Sequence, residues 1–323
     1  MSAGRLALGD VEAAARVVGA VLPPTPLRAS FAVDGGLDAR LKLECWQPTG
    51  SFKVRGAVNA LFSLSPDERA RGVVAASAGN HALGLAFAAQ ALDLGVEVTL
   101  FVPESAPAAK VDKLRRFPVV VRQEGRDYDG AHERALEHAA RSGARYVHAF
   151  EARATAAGQG TAALEILAQA PDLGTLLVPV GGGGLIAACA TVMRARGRHV
   201  RVVAVQPEAS PALAESIRQQ RPLLEYPAGP TLADGLAGGI GEIAFDHRDL
   251  IDDVVMVSED EISDAMVALL AQDQVVAEGS GAVGVAALCS GRVRPPDGRP
   301  VVVIVTGANV DARVLARLLA ARA

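Results

Sequence analysis

A lysine in residues 47–57, QPTGSFKVRGA, lies in a setting that favours covalent chemistry. Gly50 and Ser51 predict a turn, and we expect a helix to follow with Ser51 as its N-cap. Lys53 would then lie in the first helical turn, at the positive end of the helix dipole, which disfavours an ammonium ion. Burial would lower the pKa of Lys53 as well, and a lysine held partly as free amine is what Schiff-base chemistry requires. The alternative is an ordinary solvated lysine, and this segment alone does not decide between the two.

Two further segments have the composition of anion-binding loops. Residues 77–81, SAGNH, follow a predicted strand and open a predicted helix, and the four glycines at 181–184 do the same further along. Backbone N–H groups at a helix start bind phosphate or carboxylate, and glycine lets the backbone close around the anion. An ordinary helix cap accounts for residues 77–81 equally well. The glycine run is the stronger indication of a phosphate site.

The glycine run also admits a function of a different class. Residues 182–187 satisfy the G-x-G-x-x-A pattern of dinucleotide-binding proteins, and Glu208 follows near the end of the next strand, as a ribose-binding acid would. We disfavour a dinucleotide-binding protein because the run lies in mid-chain and one flexible run matches several patterns. A third strand end, after the apolar residues 301–305, carries Thr306, whose hydroxyl either faces a ligand or caps a helix.

The elements that must position these segments alternate between short apolar strands and helices, which predicts parallel sheets whose ligands bind at the carboxyl ends of the strands. We therefore expect an α/β fold with two doubly wound α/β domains. A small domain, residues 71–148, is inserted in a large domain made of residues 1–70 and 149–323. In the small domain we expect strands at 73–76, 96–102, 119–122 and 146–150. In the large domain we expect a strand at 39–45 and helices at 161–169, 185–196, 209–219 and 282–289, among others.

The composition excludes several classes of protein. The chain has 323 residues, a net charge of −4 and 50% hydrophobic residues, with basic residues scattered along it, so we expect no nucleic-acid partner. No apolar run reaches membrane-spanning length and the N-terminus is not a signal peptide, so we expect no membrane partner. Three widely spaced cysteines favour a reducing compartment, and we predict a cytoplasmic protein.

Seven motifs, in order along the chain, resemble those of the pyridoxal-phosphate-dependent serine/threonine dehydratase family. This is a tryptophan-synthase β-like, fold type II group that includes serine racemases. The motifs are TPL at 25–27, QPTGSFKVRGA at 47–57, SAGNHALG at 77–84, VGGGGL at 180–185, TLADGLAGG at 231–239, EGSGAVG at 278–284 and VTGANVD at 305–311.

The resemblance implies a role for each candidate residue. Lys53 would form the Schiff base with pyridoxal 5'-phosphate and act as the catalytic residue. Asn80 would hydrogen-bond the phenolic oxygen of the cofactor, and Thr306 would face its pyridine nitrogen. The other expected cofactor contacts are Phe52, Gly181, Gly182, Gly183, Gly184, Gly235 and Glu278. The expected substrate-carboxylate site consists of Ser77, Ala78, Gly79, Asn80 and His81.

Departures from the family pattern refine these expectations. Racemases of the group resemble one another in carrying a serine at the position of Ala78, so its absence favours elimination over racemisation. Gln206 and Ala212 stand where racemase-like members carry acidic residues, so we expect no metal. We also expect no regulatory domain, because the chain ends soon after the last motif.

The predicted reaction is the elimination of water from a 3-hydroxy amino acid, L-threonine or L-serine, to a 2-oxo acid and ammonia. The enzyme would be a threonine or serine ammonia-lyase in amino-acid metabolism, and the family resemblance implies a homodimer. One alternative is a dehydratase for another 3-hydroxy amino acid, of the 3-hydroxyaspartate or hydroxyectoine-derived type. A serine racemase is a second alternative.

Overall fold

Two largely parallel sheets organise the chain. The computed structural model describes residues 5–33, 36–196, 199–295 and 298–321. Within them the strands are β1 Leu27–Ala29, β2 Ala39–Lys42, β3 Val73–Ala76, β4 Val98–Val102, β5 Val120–Gln123, β6 Arg145–Tyr146, β7 Thr175–Pro179, β8 Arg201–Pro207, β9 Asp253–Val257 and β10 Val301–Ile304. The larger sheet has the order β1-β2-β10-β7-β8-β9, and the smaller has the order β5-β4-β3-β6.

Pairing within the sheets is parallel except at one edge, where β1 runs antiparallel to β2. The central strands β3, β4 and β7 are buried along their whole length, which explains their largely apolar sequences. The prediction of an α/β fold with two doubly wound units is confirmed. All strands of the smaller sheet come from residues 73–146, while the domain limits themselves stay a prediction. Residues 1–4 and 322–323, assigned to the large domain, lie outside the described residues.

The helices cover the faces of these sheets. They are α1 Leu8–Gly19, α2 Lys53–Phe62, α3 Pro66–Arg71, α4 Asn80–Leu92, α5 Ala108–Leu114, α6 Tyr128–Ser142, α7 Arg153–Gln169, α8 Gly184–Ala195, α9 Ala212–Gln219, α10 Glu242–Asp246, α11 Glu259–Asp273, α12 Gly279–Cys289 and α13 Ala312–Ala320. Within the described ranges, no helix combines the length and the apolar character needed to cross a bilayer.

Several predicted boundaries were wrong. The strand expected at 39–45 ends at Lys42, and the helix expected at 282–289 begins at Gly279. Helix α2 starts at Lys53 with Phe52 as its N-cap residue, so Ser51 is not the cap. The strand expected at 146–150 ends at Tyr146, and the chain continues without regular structure to residue 152. Helix α7 begins at Arg153, eight residues before the predicted start at 161, because its small residues pack closely against other helices. The helix expected at 209–219 begins at Ala212, since Pro211 takes the N-cap position.

Helix α2 is packed between the two units through glycines. A Cβ added to Gly158 of α7 would lie 2.7 Å from the Cα of Gly56 in α2, and one added to Gly84 of α4 would lie 3.1 Å from the carbonyl oxygen of Lys53. The backbone of α2 is therefore in direct contact with the backbone of α7 on one side and of α4 on the other. This close packing leaves little freedom in where the first residue of the helix lies.

A buried cluster of charges anchors the same helix. The Arg55 guanidinium donates to both oxygens of Glu44 at 2.7 Å, and to Glu165 of α7 at 2.7 and 2.8 Å. Lys42 of β2 completes the cluster by donating to Glu165 at 2.5 Å. The side chains of Lys42, Glu44 and Arg55 are fully buried, so two cations and two anions compensate each other away from water. Burial alone would raise the pKa of Glu44, but Arg55 holds that pKa below its usual value.

Replacing Arg55 by Met should destabilise the protein by about 3–5 kcal/mol, because two carboxylates would be left without their main buried partner. The measurement is the free energy of unfolding from urea denaturation. The matched control is Arg40→Met, which removes a guanidinium from pairs with Asp38 and Asp172 near the surface. We expect that control to change stability by less than about 1 kcal/mol. A loss for Arg55→Met no larger than for the control would show that the cluster does not stabilise α2.

Candidate active site

The site is centred on the first residue of α2, Lys53. Its Nζ donates a 3.4 Å hydrogen bond to the carbonyl oxygen of Ala149 and lies 5.2 Å from the centre of the Phe52 ring. Burial lowers the pKa of Lys53 to about 8, and the carboxylate of Glu278 opposes part of that shift. About a tenth of Lys53 is therefore free amine at pH 7, and this side chain can act as a nucleophile or as a base.

Residues 181–184 form a tight loop between β7 and α8. Gly183 has a φ of +87°, in the left-handed region that glycine adopts without strain. A Cβ on Gly182 would lie 2.3 Å from the ring of Phe150, and one on Gly181 would lie 2.9 Å from the carbonyl oxygen of Gly235. Side chains are thus excluded, and the backbone N–H groups at the start of the twelve-residue helix α8 form an anion-binding end.

Asn80 and Glu278 form a hydrogen-bonded polar pair of the site. Asn80 is the first residue of α4, and its Nδ2 donates to Oε1 of Glu278 at 2.7 Å. The Glu278 carboxyl is buried, and burial together with the nearby charge of Asp234 raises its pKa to about 7. The structure therefore brings Asn80, Glu278 and Lys53 into one electrostatic environment, as their predicted common role requires.

Thr306 and Gly235 both hydrogen-bond to Ser280, a residue that was not predicted from the sequence. The Thr306 hydroxyl donates to the carbonyl oxygen of Ser280 at 3.3 Å, and the Gly235 backbone N–H donates to the Ser280 hydroxyl at 3.0 Å. Ser280 lies within the EGSGAVG motif, two residues after Glu278, so the signal was present in a segment that was already recognised. Thr306 is buried, and the Phe52 N–H donates to its carbonyl oxygen at 3.0 Å.

The loop that precedes α4 is arranged as a polar turn. The Ser77 hydroxyl accepts the N–H of Gly79 at 3.1 Å, and Ala78 between them presents only a methyl group. The side chain of His81 is not suited to binding an anion. Its Nε2 pairs with the carbonyl oxygen of Val147 at 2.9 Å, and burial lowers the pKa of His81 to about 3. The imidazole is thus neutral at physiological pH, and the contribution of His81 to anion binding is limited to its backbone N–H.

Phe150 and Asn309 also belong to the site and were not predicted. Phe150 follows β6 and packs against Gly182, so the signal was a fourth strand end at the carboxyl edge of the smaller sheet. Asn309 lies in the VTGANVD motif and donates from Nδ2 to Oδ1 of Asn80 at 2.6 Å. Both residues were visible in the sequence, but their contacts depend on how distant segments meet.

Gln206, named above for the metal question, and Glu208, named for the dinucleotide-binding alternative, both have hydrogen-bond or ion-pair partners within the protein. Gln206 is fully buried, and its Oε1 accepts the N–H groups of Leu213 and Ala214 at the start of α9. Among the residues that the structure describes, no group of three His, Cys, Asp or Glu side chains could hold a metal ion. Glu208, the ribose-binding acid of the dinucleotide alternative, pairs with Arg292 in an exposed contact at 3.1 Å.

Comparison with known proteins gives a consistent result. Residues 20–307 match the profile of the family described as pyridoxal-phosphate dependent enzyme. The chain is 42% identical over 320 residues to L-threonine ammonia-lyase of Thermotoga maritima, covering 97% of this chain and 78% of the relative.

Solved structures agree with this match. The processed form of threonine deaminase isoform 2 from Solanum lycopersicum is 32% identical with a TM-score of 0.90, covering 97% of this chain and 86% of that chain. Maize serine racemase is 31% identical with a TM-score of 0.91, covering 99% of this chain and 98% of that chain.

The ionisation of Lys53 can be measured directly on the protein without added ligand. Its labelling by an amine-acylating reagent should rise about tenfold from pH 7 to pH 9, since the fraction of free amine increases through a pKa of about 8. Peptide mass spectrometry at a series of pH values gives the midpoint. In Glu278→Gln the midpoint should fall, because the carboxylate that favours the ammonium form is removed. A midpoint near 10.5 would show that burial does not act on this amine.

Proposed function

Since this chain belongs to the family of pyridoxal-phosphate-dependent enzymes, we propose that it eliminates water from a 3-hydroxy amino acid, L-threonine or L-serine, and yields a 2-oxo acid and ammonia. The observation that carries the proposal is the pKa of about 8 of the Lys53 amine, in a site that also contains the anion-binding start of α8. A reactive amine and a phosphate-binding loop are what this cofactor needs from a protein.

The residues present fit pyridoxal phosphate. Lys53 supplies the amine that would hold the cofactor, and the loop 181–184 excludes side chains at the end of α8 where a phosphate would bind. Asn80 and the hydroxyl of Thr306 supply neutral polar groups for the cofactor ring. When bound, the cofactor supplies an electron sink that makes the α-proton of an amino acid acidic.

The residues of the chain then determine what happens to that proton. A base is most effective when its pKa lies near the working pH, and burial brings Lys53 to about 8. We propose that its Nζ, free once the amine of the substrate has replaced it, removes the α-proton, with the carbonyl oxygen of Ala149 accepting a hydrogen bond from the resulting ammonium. The polar turn at 77–79 and the start of α4 would orient the substrate carboxylate.

Ala78 supports elimination rather than racemisation. Racemisation of an amino acid needs an acid on the face opposite to the base that removed the proton. A methyl group at the position where racemases of the family resemble one another in carrying serine cannot supply that proton. The neutral hydroxyl of Thr306 bears on a different competition: it does not hold a positive charge on a ring nitrogen as a carboxylate would, so loss of the β-hydroxyl competes better with transamination.

Lys53→Ala should lower turnover by at least about 100-fold, because the base is lost. Release of the 2-oxo acid is the activity measured, and circular dichroism shows whether the variant is folded. A second measurement tests the cofactor itself: borohydride should attach it covalently to the wild-type peptide that contains Lys53, and to no peptide of the variant. Full turnover by a folded Lys53→Ala protein would contradict the proposal.

A panel of 3-hydroxy amino acids tests the substrate. We expect L-threonine to give 2-oxo acid with the highest kcat/KM and L-serine to react more slowly, because the relative that is 42% identical is an L-threonine ammonia-lyase. The panel also includes the alternative substrates, which are 3-hydroxyaspartate and hydroxyectoine-derived 3-hydroxy amino acids. Chiral analysis of residual serine measures racemisation. Formation of D-serine faster than release of 2-oxo acid would instead favour the racemase alternative.

We further propose that the enzyme works in the cytoplasm as a homodimer, and that its partners are small amino acids. Sequence composition and family resemblance support these three points.

A further inference from the structure

Asn309 occupies a junction between four segments of the chain. Its Nδ2 donates to the carbonyl oxygen of Thr49 at 2.9 Å and to Oδ1 of Asn80 at 2.6 Å. Its Oδ1 accepts from Nζ of Lys113 at 2.6 Å, and its backbone N–H donates to Oε2 of Glu278 at 3.0 Å. The Asn309 side chain thus links the turn before Lys53, the start of α4 and helix α5, and its backbone N–H adds the start of α12.

The turn before Lys53 is shaped to receive this amide. Gly50 has a φ of +75°, and a Cβ there would lie 3.0 Å from Oδ1 and 3.1 Å from Nδ2 of Asn309. The Ala308 N–H donates to the Gly50 carbonyl oxygen at 2.9 Å, and Ser51 forms a β-bridge with Gly307. The Asn309 side chain is therefore held against the turn by its own backbone as well as by its hydrogen bonds.

The hydrogen-bond partners of Asn309 determine which way its side-chain amide, and that of Asn80, is oriented. The Lys113 ammonium only donates, whereas the backbone carbonyl of Thr49 only accepts. Asn309 must therefore turn Oδ1 toward Lys113 and Nδ2 toward Thr49 and Asn80. Asn80 must in turn present Oδ1 to Asn309 and Nδ2 to Glu278, to which it donates at 2.7 Å.

We propose that Asn309 is a positioning residue that holds the Asn80 amide in one of its two flipped orientations, with Nδ2 on the side of Glu278. We call Lys113, Asn309, Asn80 and Glu278 the Asn309 relay. One hydrogen of the Asn80 Nδ2 goes to Glu278, and the second is left to donate to the phenolic oxygen of the cofactor. The reverse orientation would place an acceptor where a donor is needed. This inference rests on the proposed function, which assigns that contact to Asn80.

The relay also makes the placement of helix α5 part of the site. Lys113 belongs to the segment that contains the smaller sheet, while Asn309 follows the last strand of the larger one. The Lys113–Asn309 hydrogen bond thus joins the two units on the side where Asn80 lies. The orientation of Asn80 is thereby coupled to the contact between the units.

The test is Asn309→Asp, which keeps the shape of the side chain and replaces its donor with an acceptor. Aspartate would place an oxygen against the carbonyl oxygen of Thr49 and Oδ1 of Asn80, where the wild type has an N–H donor. The Asn80 amide should therefore flip and donate from its Nδ2 to the aspartate. We expect the dissociation constant of pyridoxal phosphate to rise roughly tenfold or more, because the turned Asn80 amide no longer offers its donor to the cofactor. The absorbance maximum of the bound cofactor should shift as well, and kcat should fall more than KM changes.

Lys113→Glu provides a second variant whose change lies at an exposed residue and leaves the buried part of the relay intact. It replaces the donor at the outer end of the relay with an acceptor and should change affinity and absorbance in the same direction. The matched control is Arg115→Glu, which reverses a charge on the same helix end where the side chain contacts only exposed Asp112 among the contacts described for it. The control should retain the wild-type absorbance maximum and dissociation constant.

The outcomes separate the two proposals. Wild-type protein that neither binds pyridoxal phosphate nor releases a 2-oxo acid would overturn the proposed function, and this inference with it. Active wild-type protein together with a folded Asn309→Asp variant of unchanged affinity and absorbance would overturn the inference alone. If Asn309→Asp fails to fold, as thermal unfolding would show, Lys113→Glu decides: a result equal to that of Arg115→Glu overturns the inference.

Discussion

The buried charge cluster around Arg55 is the constraint on which the placement of the reactive amine depends. Arg55 lies two residues after Lys53 in α2 and is bonded to Glu44 after β2 and to Glu165 of α7. Charges without water need partners at fixed distances, so the cluster admits very few positions of α2 relative to the larger sheet. Lys53 is carried along, because it belongs to the same rigid first turn. A buried ion pair thus acts here mainly as a positioning device.

The site is assembled from both units around that helix. Glycines at 56, 84 and 158 let α2 approach α4 on one side and α7 on the other at backbone distance. The glycine loop at 181–184 comes from the larger sheet and Asn80 from the segment of the smaller one. Because ligands in parallel sheets bind at the carboxyl ends of strands, two sheets whose ends face one helix converge on one place. The reactive amine lies at that place.

Burial also sets the chemistry. It lowers the pKa of Lys53 to about 8 and raises that of Glu278 to about 7, so a base and an acid that differ by six units in water come within about one unit of each other. Proton exchange near neutral pH then has a small free-energy cost. The hydrogen bonds from Asn80 and from the backbone of Asn309 stabilise the Glu278 carboxylate and so keep its pKa from rising further. Reactivity in this site is a property of the surroundings rather than of the side chains alone.

The amino-acid sequence by itself determined the fold class and, apart from the antiparallel edge strand β1, the order of the strands, and its recognisable motifs supplied the candidate site residues. Alternating apolar strands and helices are local patterns, so β3 was predicted over the same residues, 73–76, that the structure shows. Lys53, the glycine loop and Asn80 were evident because their chemistry follows from residue type and neighbours along the chain.

Only the tertiary structure decided what depends on distant segments meeting. Ser51 has the chemistry of an N-cap, but its β-bridge with Gly307 ties it to another strand end, and α2 starts one residue later than that cap would allow. Ser280, Phe150 and Asn309 gain their roles from partners that lie from 26 to 260 residues away in the chain. The direction of an amide, the burial of an amine and the pKa that follows are properties of a three-dimensional environment. Sequence spacing does not contain that environment, because it is formed by packing between elements rather than within them.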